Sequence, residues 1–346
     1  MRKIKVGLVG YGFSGATFHA PFLSVLKEYE LTKVVSSKKK EVQKDLGNVV
    51  VVGSLEEVLE DQTTDLVIIT TPSGMHFEMA KQSLMAGKHV ILEKPMVVKT
   101  WEAEELIKIA SEKNLLLSVY HNRRWDNDFL TVKKLVNDGV LGEINTYQVH
   151  YDRYRPKVRD RWREKQGPGS GILYDLGSHL IDQALHLFGW PQFVSADVFA
   201  QREKAETDDY FHITLGYDKL RVILHSGSIV PESGPRFQVH GTKGSFIKYG
   251  LDGQESALIA GKKPTDYTWG ADDPQFYGEL HTVDGEEVKQ ELIETLNGSY
   301  TTYYEKFAES VLEGKCLPVT AYEGLSVIKI IEAAFQSSKE KKVILV

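Results

Sequence analysis

Ile4-Lys5-Val6-Gly7-Leu8-Val9-Gly10-Tyr11-Gly12-Phe13-Ser14-Gly15 is the stretch that decides the fold. Its first six residues form a short, largely apolar run that reads as a buried strand, and the next six are a G-x-G-x-x-G loop. Glycines at this spacing allow a tight turn and let backbone N–H groups approach a pyrophosphate where a helix begins. The same residues could make an ordinary turn. The position of the loop, behind a first strand and before a helical pattern at Thr17–Val25, is the context that points to dinucleotide binding. Gly10, Gly12, Phe13, Ser14 and Gly15 are therefore candidate cofactor contacts.

Outward from this loop, short β-branched runs alternate with amphipathic segments. Leu31–Val35, Val49–Val52, Leu66–Thr70, His89–Leu92 and Leu115–Val119 read as further strands. Lys40–Asp45, Leu55–Glu60, Met75–Ala86 and Thr100–Lys113 read as helices between them. This alternation specifies a parallel sheet with right-handed crossovers, hence an α/β Rossmann domain over residues 1–122. Beyond it the rhythm changes. Helical patterns at Leu130–Asn137 and Gly171–Leu187 flank a strand pattern at Ile144–Tyr154, and Phe193–Arg202, Asp209–Leu215, Leu220–Ser226, Arg236–Gly241 and Gly244–Tyr249 follow as strands joined by short turns. Residues 123–346 are thus expected to form an α+β domain with a large, mostly antiparallel open sheet. Helices at Tyr300–Leu312 and Ala321–Ser338 and a last strand at Val343–Val346 complete it, while 252–290 read as loops and edge strands.

Composition narrows the function. A chain of 346 residues favours two domains. A formal charge of −6 without a long basic block argues against nucleic acid or an anionic membrane as partner. Cys316 is the sole cysteine, so no internal disulfide can form, in keeping with a reducing cytoplasm. The start of the chain is too glycine-rich for a signal peptide, and no apolar run of about 18 residues predicts a membrane span.

The end of the second strand bears on the cofactor. An NAD enzyme places an acid there for the ribose 2′-hydroxyl. This chain reads Val34-Val35-Ser36-Ser37-Lys38-Lys39-Lys40, with no carboxylate before Glu41. Hydroxyls and an ammonium suit a 2′-phosphate, so Ser36, Ser37 and Lys38 favour NADP over NAD. A solvated lysine run opening a helix is the plainer reading.

Two segments carry chemistry. Glu93-Lys94-Pro95 closes the fifth strand at the carboxyl edge of the sheet, where ligands lie in open α/β folds, although it could equally be a surface turn. In Gly171–Asp182, Asp175, His179 and Asp182 stand at i, i+4 and i+7, on one face of a predicted helix. An imidazole beside carboxylates is suited to proton transfer near neutral pH, though a lone histidine is more often a core residue. His186 extends the face, but with no HExxH or clustered Cys/His set, no metal is expected.

With these motifs in this order, GYGFSG at 10–15, TTPSGMH at 70–76, EKP at 93–95 and GILYDLGSHLID at 171–182, the chain resembles the Gfo/Idh/MocA oxidoreductases over its whole length. Within that family it is similar to the NADP-dependent scyllo-inositol dehydrogenases, through YHNRRWDNDF at 120–129, YDRYRPKVRDRWREK at 151–165 and DYFHITL at 209–215. The resemblance implies that Lys94, Asp175 and His179 form the catalytic group. It also implies that Thr71, Pro72 and His76 flank the cofactor, that Glu93 approaches the nicotinamide ribose, and that Trp162 and Arg163 reach the cofactor from the second domain. The peptide before the EKP proline is commonly cis in such enzymes. Two features depart from the family pattern. Ser36, Ser37 and Lys38 replace the usual acid, and Pro168 and Ser170 make the approach to Gly171 less regular.

The implied reaction interconverts a secondary alcohol of a cyclic polyol, scyllo-inositol by resemblance, and its ketone. His179 takes the hydroxyl proton, Lys94 stabilises the alkoxide oxygen, Asp175 orients the imidazole, and Asp182 is a candidate to assist. Asn122, Arg123, Trp125, Tyr151, Arg153 and Tyr154, with Asp175 and His179, are candidates to read the polyol hydroxyls. Alternatives are an NADP-dependent enzyme for an aldose, a 1,2-diol or another inositol, and a non-catalytic NADP-sensing protein. The last would have little reason to retain Lys94, Asp175 and His179 together. The sheet face left uncovered by helices is expected to be apolar and to pair subunits into a homodimer or homotetramer.

Overall fold

The computed structural model describes residues 2–346, which divide into two compact units. The first holds the residues up to Asn122 together with Gln254–Trp269 and Ser299–Ser326; the second holds Arg123–Gly253, Gly270–Gly298 and Val327–Val346.

In the first unit six strands form one parallel sheet: β1 (Ile4–Val9), β2 (Tyr29–Val35), β3 (Val50–Val52), β4 (Leu66–Ile69), β5 (His89–Leu92) and β6 (Leu117–Val119). Their order is β3-β2-β1-β4-β5-β6. This is the doubly wound dinucleotide-binding order, in which the chain reverses direction across the sheet between β1 and β4 and opens a crevice at their carboxyl ends. Val6, Leu8, Ile68 and Ile91 are fully buried, as strands covered on both faces must be. The connections include α1 (Ala20–Val25), α2 (Lys39–Leu46), α3 (Glu56–Leu59), α4 (His76–Met85) and α5 (Thr100–Glu112). A single π-helical turn, Gly15–His19, precedes α1 where the sequence predicts ordinary helix from Thr17. The late segments of this unit are held by aromatic burial. Tyr300, Tyr303 and Tyr304 are fully buried, and Tyr304 stacks on Phe22 with ring centres 5.6 Å apart.

In the second unit, α6 (Asn127–Asn137) leads into a nine-stranded sheet built from β7 (Ile144–His150), β8 (Phe193–Phe199), β9 (Tyr210–Gly216), β10 (Arg221–Gly227), β11 (Phe237–Gly241), β12 (Gly244–Lys248), β13 (Gly278–Asp284), β14 (Glu287–Ile293) and β15 (Ile344–Leu345). The order is β14-β13-β12-β11-β7-β10-β9-β8-β15, antiparallel except for the β7–β10 pair. Between β7 and β8 lies α7 (Ser178–Phe188), entered through a second π-helical turn, Leu173–Gly177. One face of the sheet buries Tyr147, Val149, Phe211, Ile213, Val222 and Leu224 beneath these helical turns. Because side chains alternate across a strand, the other face carries Gln148, His150, His212, Thr214, Ile223 and His225, all half-buried. That face is polar and histidine-rich, not the apolar surface the sequence reading anticipates.

Within 252–290, the predicted loops and edge strands hold in part. β13 and β14 form a hairpin at the sheet edge, with Gly285 at φ 65° in its two-residue turn. The short helix α8 (Gln254–Ile259) goes unpredicted. Two further helices, α9 (Thr301–Glu313) and α10 (Ala321–Glu340), precede β15. Among the described residues, no helix is long and apolar enough to cross a membrane.

Candidate active site

The glycine loop is crowded where it must be and open where a ligand would approach. Gly10 has φ 99°, its carbonyl accepts a hydrogen bond from Thr70 Oγ1 at 2.9 Å, and a Cβ there would press on that hydroxyl. A Cβ on Gly15 would collide with the Gly10 carbonyl. At Gly12, by contrast, nothing lies within 4 Å of where a Cβ would stand. Open backbone beside a glycine-only turn is the geometry a pyrophosphate requires, so these residues fit a dinucleotide. Phe13 is exposed beside them. At the end of β2, Ser36 Oγ accepts the Lys38 backbone N–H at 3.0 Å, and Lys38 Nζ meets Glu41 at 2.9 Å on the surface. A 2′-phosphate there would compete with Glu41 for this ammonium.

The Glu93 carboxylate, at the end of β5, gathers several groups of the first unit. Ser14 Oγ donates to its Oε1, His19 Nε2 lies 2.9 Å from the same oxygen, and the Lys94 backbone N–H donates to Oε2 at 3.0 Å. Burial alone would raise this carboxyl, but His19, Ser14 and the Lys94 charge pull it down to about 2. On its far side His19 Nδ1 meets the Tyr304 hydroxyl at 2.6 Å. Lys94 is half-buried and its bond to Pro95 is cis, as the resemblance implies. His76 is a buried strut. Its Nδ1 lies 3.0 Å from the Pro95 carbonyl and its Nε2 2.9 Å from that of Thr71, between the loop that includes Thr71 and Pro72 and the end of β5, and the neutral ring donates to one of the two. Burial holds its pKa low.

In the second unit the π-helical turn alters the helical phase on which the sequence reading depends. Asp175 lies in that turn, half-buried, between Arg163 Nε at 3.4 Å and Arg153 Nη1 at 3.6 Å. His179 follows in α7 and is buried. Arg124 holds the two oxygens of Asp182 at 2.6 and 2.8 Å in a buried two-point ion pair. Asp175 and Asp182 thus each face arginines. Gly171, at φ 98°, starts the turn, and a Cβ there would run into the Asp208 carboxylate. Asp208 in turn accepts the Leu173 backbone N–H at 2.8 Å, and burial raises its pKa to about 6.

A cavity beside Asp175 is lined by Arg153, Arg155, Arg161, Arg163 and Arg202 together with Glu164, Asp208 and Asp209. Burial, together with Arg153, Arg159 and Arg161, lowers the Arg155 guanidinium to about 10. The guanidinium of Arg163 also stacks on Trp162, 4.6 Å from the ring centre. Of the other substrate candidates, Arg123 is buried against Asp126 at 3.1 Å, and Tyr151 is buried under the guanidinium groups of Arg123, Arg153 and Arg236. Asn122 and Trp125 are buried, and Tyr154 is exposed. Sequence reasoning missed His19, Tyr304 and Asp208. A lone histidine, a helical tyrosine and an acid in a loop give no local signal.

A doubly wound dinucleotide-binding unit joined to a unit with a large open sheet defines a nucleotide-dependent oxidoreductase architecture. The chain belongs to the Gfo/Idh/MocA oxidoreductase family, matching its NAD-binding Rossmann fold over residues 4–121 and its C-terminal alpha/beta domain over 133–346. It is 60% identical over 342 residues to the scyllo-inositol 2-dehydrogenase (NADP(+)) IolW of Bacillus subtilis, covering 99% of this chain and 96% of that one. Among solved structures it is similar to the Bacillus subtilis protein yvaA (TM-score 0.98, 59% identity, 100% and 99% coverage). A Yersinia pestis protein is also similar (TM-score 0.95, 40% identity, 100% and 97% coverage).

Proposed function

We propose that this chain is an NADP-dependent dehydrogenase that interconverts a secondary alcohol of a cyclic polyol, scyllo-inositol first among them, and the corresponding ketone. The observation that carries the reading is near-complete coverage at 60% identity with a scyllo-inositol 2-dehydrogenase, joined to a second strand that ends in Ser36, Ser37 and Lys38.

NADP, when bound, accepts or returns the hydride. Gly10, Gly12, Phe13, Ser14 and Gly15 would hold its pyrophosphate, and Ser36, Ser37 and Lys38 its 2′-phosphate. Thr71, Pro72, His76, Glu93, Trp162 and Arg163 would complete the cofactor contacts. Lys94, Asp175 and His179 form the catalytic group in this proposal. His179 takes the hydroxyl proton at a ring nitrogen as the C–H bond breaks, and Asp175 orients and stabilises the imidazolium. Lys94, as an ammonium, stabilises the alkoxide oxygen. Arg153 Nη1 and Arg163 Nε stand 3.6 and 3.4 Å from the Asp175 carboxylate. Asn122, Arg123, Trp125, Tyr151, Arg153 and Tyr154 would read the remaining hydroxyls. Asp182, held by Arg124 in a buried two-point ion pair, is a candidate to assist. The enzyme works in the cytoplasm as a homo-oligomer.

Steady-state assays with scyllo-inositol, myo-inositol, glucose and a 1,2-diol, each with NADP and NAD in parallel, test the reading. Reduction of NADP with scyllo-inositol at the highest kcat/KM is the expected result. Turnover confined to glucose or the diol, or faster with NAD, would replace it.

A further inference from the structure

On the polar face of the nine-stranded sheet, neighbouring strands bring histidines into line. β10 runs parallel to β7 with His225 in register with His150. β9 sets His212 opposite His225, and β8 sets Asp197 opposite His212. Asp152 follows His150 by two residues, the spacing that returns a side chain to the same face of an extended chain.

His150 Nδ1 lies 3.2 Å from Oδ2 of Asp152, and His225 Nε2 lies 3.4 Å from Oδ1. One donor atom from each of the three residues falls within 4.8 Å of the others. A tetrahedral zinc site with metal–ligand bonds of about 2.0–2.2 Å places its donors about 3.4 Å apart, so small side-chain rotations suffice. The outer contacts are in place as well. The Gly227 N–H holds Asp152 Oδ1 at 2.8 Å, and the Gln148 side-chain amide meets His150 Nε2 at 2.7 Å. Such contacts orient metal ligands. Nδ1 of His225 is buried with no hydrogen-bond partner.

We propose that His150, Asp152 and His225 bind one divalent transition-metal ion of the zinc class, fastening β7 to β10. The donor set, two imidazoles and a carboxylate, suits such ions, whereas magnesium and calcium prefer all-oxygen shells. Without metal, the Nδ1–H of His150 donates to Asp152 and its Nε2 accepts from the Gln148 amide. Metal on Nδ1 moves that proton to Nε2, and the amide turns to accept it with its oxygen. The same exchange at His225 places metal on Nε2 and the proton on Nδ1. Both imidazoles remain neutral, and no proton is lost. His150, Asp152 and His225 hold no role in the proposed reaction, although Tyr151 and Arg153 flank Asp152, and metal binding is measured without turnover, so the site stands or falls independently of that reading.

The full-length protein, stripped with chelator and dialysed, is titrated with Zn²⁺ by calorimetry and with Co²⁺ by visible absorption. One equivalent per chain, micromolar or tighter, a tetrahedral Co²⁺ spectrum and a raised Tm are expected. His150→Gln and His225→Gln each weaken Zn²⁺ binding by at least about tenfold, whereas His240→Gln, on β11 of the same sheet, leaves it unchanged. Circular dichroism and Tm in chelator verify that the variants fold. Asp152→Asn serves as a third arm, since an asparagine oxygen still accepts the Gly227 N–H. Absence of a one-equivalent site in the wild type, or wild-type affinity in His150→Gln or His225→Gln, overturns the proposal.

Discussion

His19 Nε2 stands 2.9 Å from Glu93 Oε1, with both side chains buried and the residues 74 positions apart in the chain. Because Glu93 is pulled from 4.5 to about 2, its charge stabilises the folded state above pH 4.5, and that contribution fades as pH falls from 4.5 toward 2. The shift corresponds to up to about 3 kcal/mol. Glu93→Gln should therefore lower Tm at pH 6, and its gap from wild type should narrow steadily below pH 4.5. Thermal unfolding followed across pH 2–6 checks this, and a constant gap contradicts it.

Asp208 has the opposite sign. Its pKa is raised from 3.8 to about 6 by burial, which outweighs the hydrogen bonds from Leu173 and Thr207. The folded state therefore binds the proton more tightly, and stability falls as pH rises between about 4 and 6, by up to about 3 kcal/mol. Asp208→Asn keeps an acceptor for the Leu173 N–H while removing the buried charge. It should flatten the stability profile in that window and raise Tm at pH 7. An unchanged profile would mean that Asp208 is already solvated.

Removing the proposed base should spare cofactor binding. His179→Ala is expected to lower kcat by about 10²–10⁴ while NADP affinity, measured by fluorescence titration, stays within a few-fold of wild type. Near-wild-type turnover would remove His179 from the mechanism.

Lys38 should discriminate between the cofactors. Losing one charge-assisted hydrogen bond, worth roughly 1.5–3 kcal/mol, should raise the KM for NADP about tenfold or more in Lys38→Ala and leave that for NAD nearly unchanged. Glu41→Gln, by releasing Lys38 from its surface pair, should lower the KM for NADP modestly. Equal changes for both cofactors would count against a 2′-phosphate contact.

Local chemistry was readable where the signal lies within a few residues. The strands of the first unit show as short apolar runs, and the Gly10–Gly15 loop is legible from its spacing together with its place between a strand and a helical pattern. The Gly285-Glu286 turn between Asp284 and Glu287 has its glycine at the first turn position, a hairpin signal within the stretch read only as loops and edge strands. The π-helical turn at Leu173–Gly177 was not readable. Its residues suit an ordinary helix, and the Asp208 carboxylate that accepts Leu173's N–H at its start comes from 35 positions away.

The sequence by itself determined the order of strands and helices and the dinucleotide loop, because those rest on periodicity and short motifs, while Lys94, Asp175 and His179 are candidates through the family resemblance. Only the tertiary structure decided that Asp182 belongs to Arg124, that Glu93 belongs to His19 and Ser14, and that His150, Asp152 and His225 meet on one sheet face. Pairings of that kind depend on strand register and on which distant groups are buried together, and burial sets their strength by removing the water that would otherwise solvate each charge.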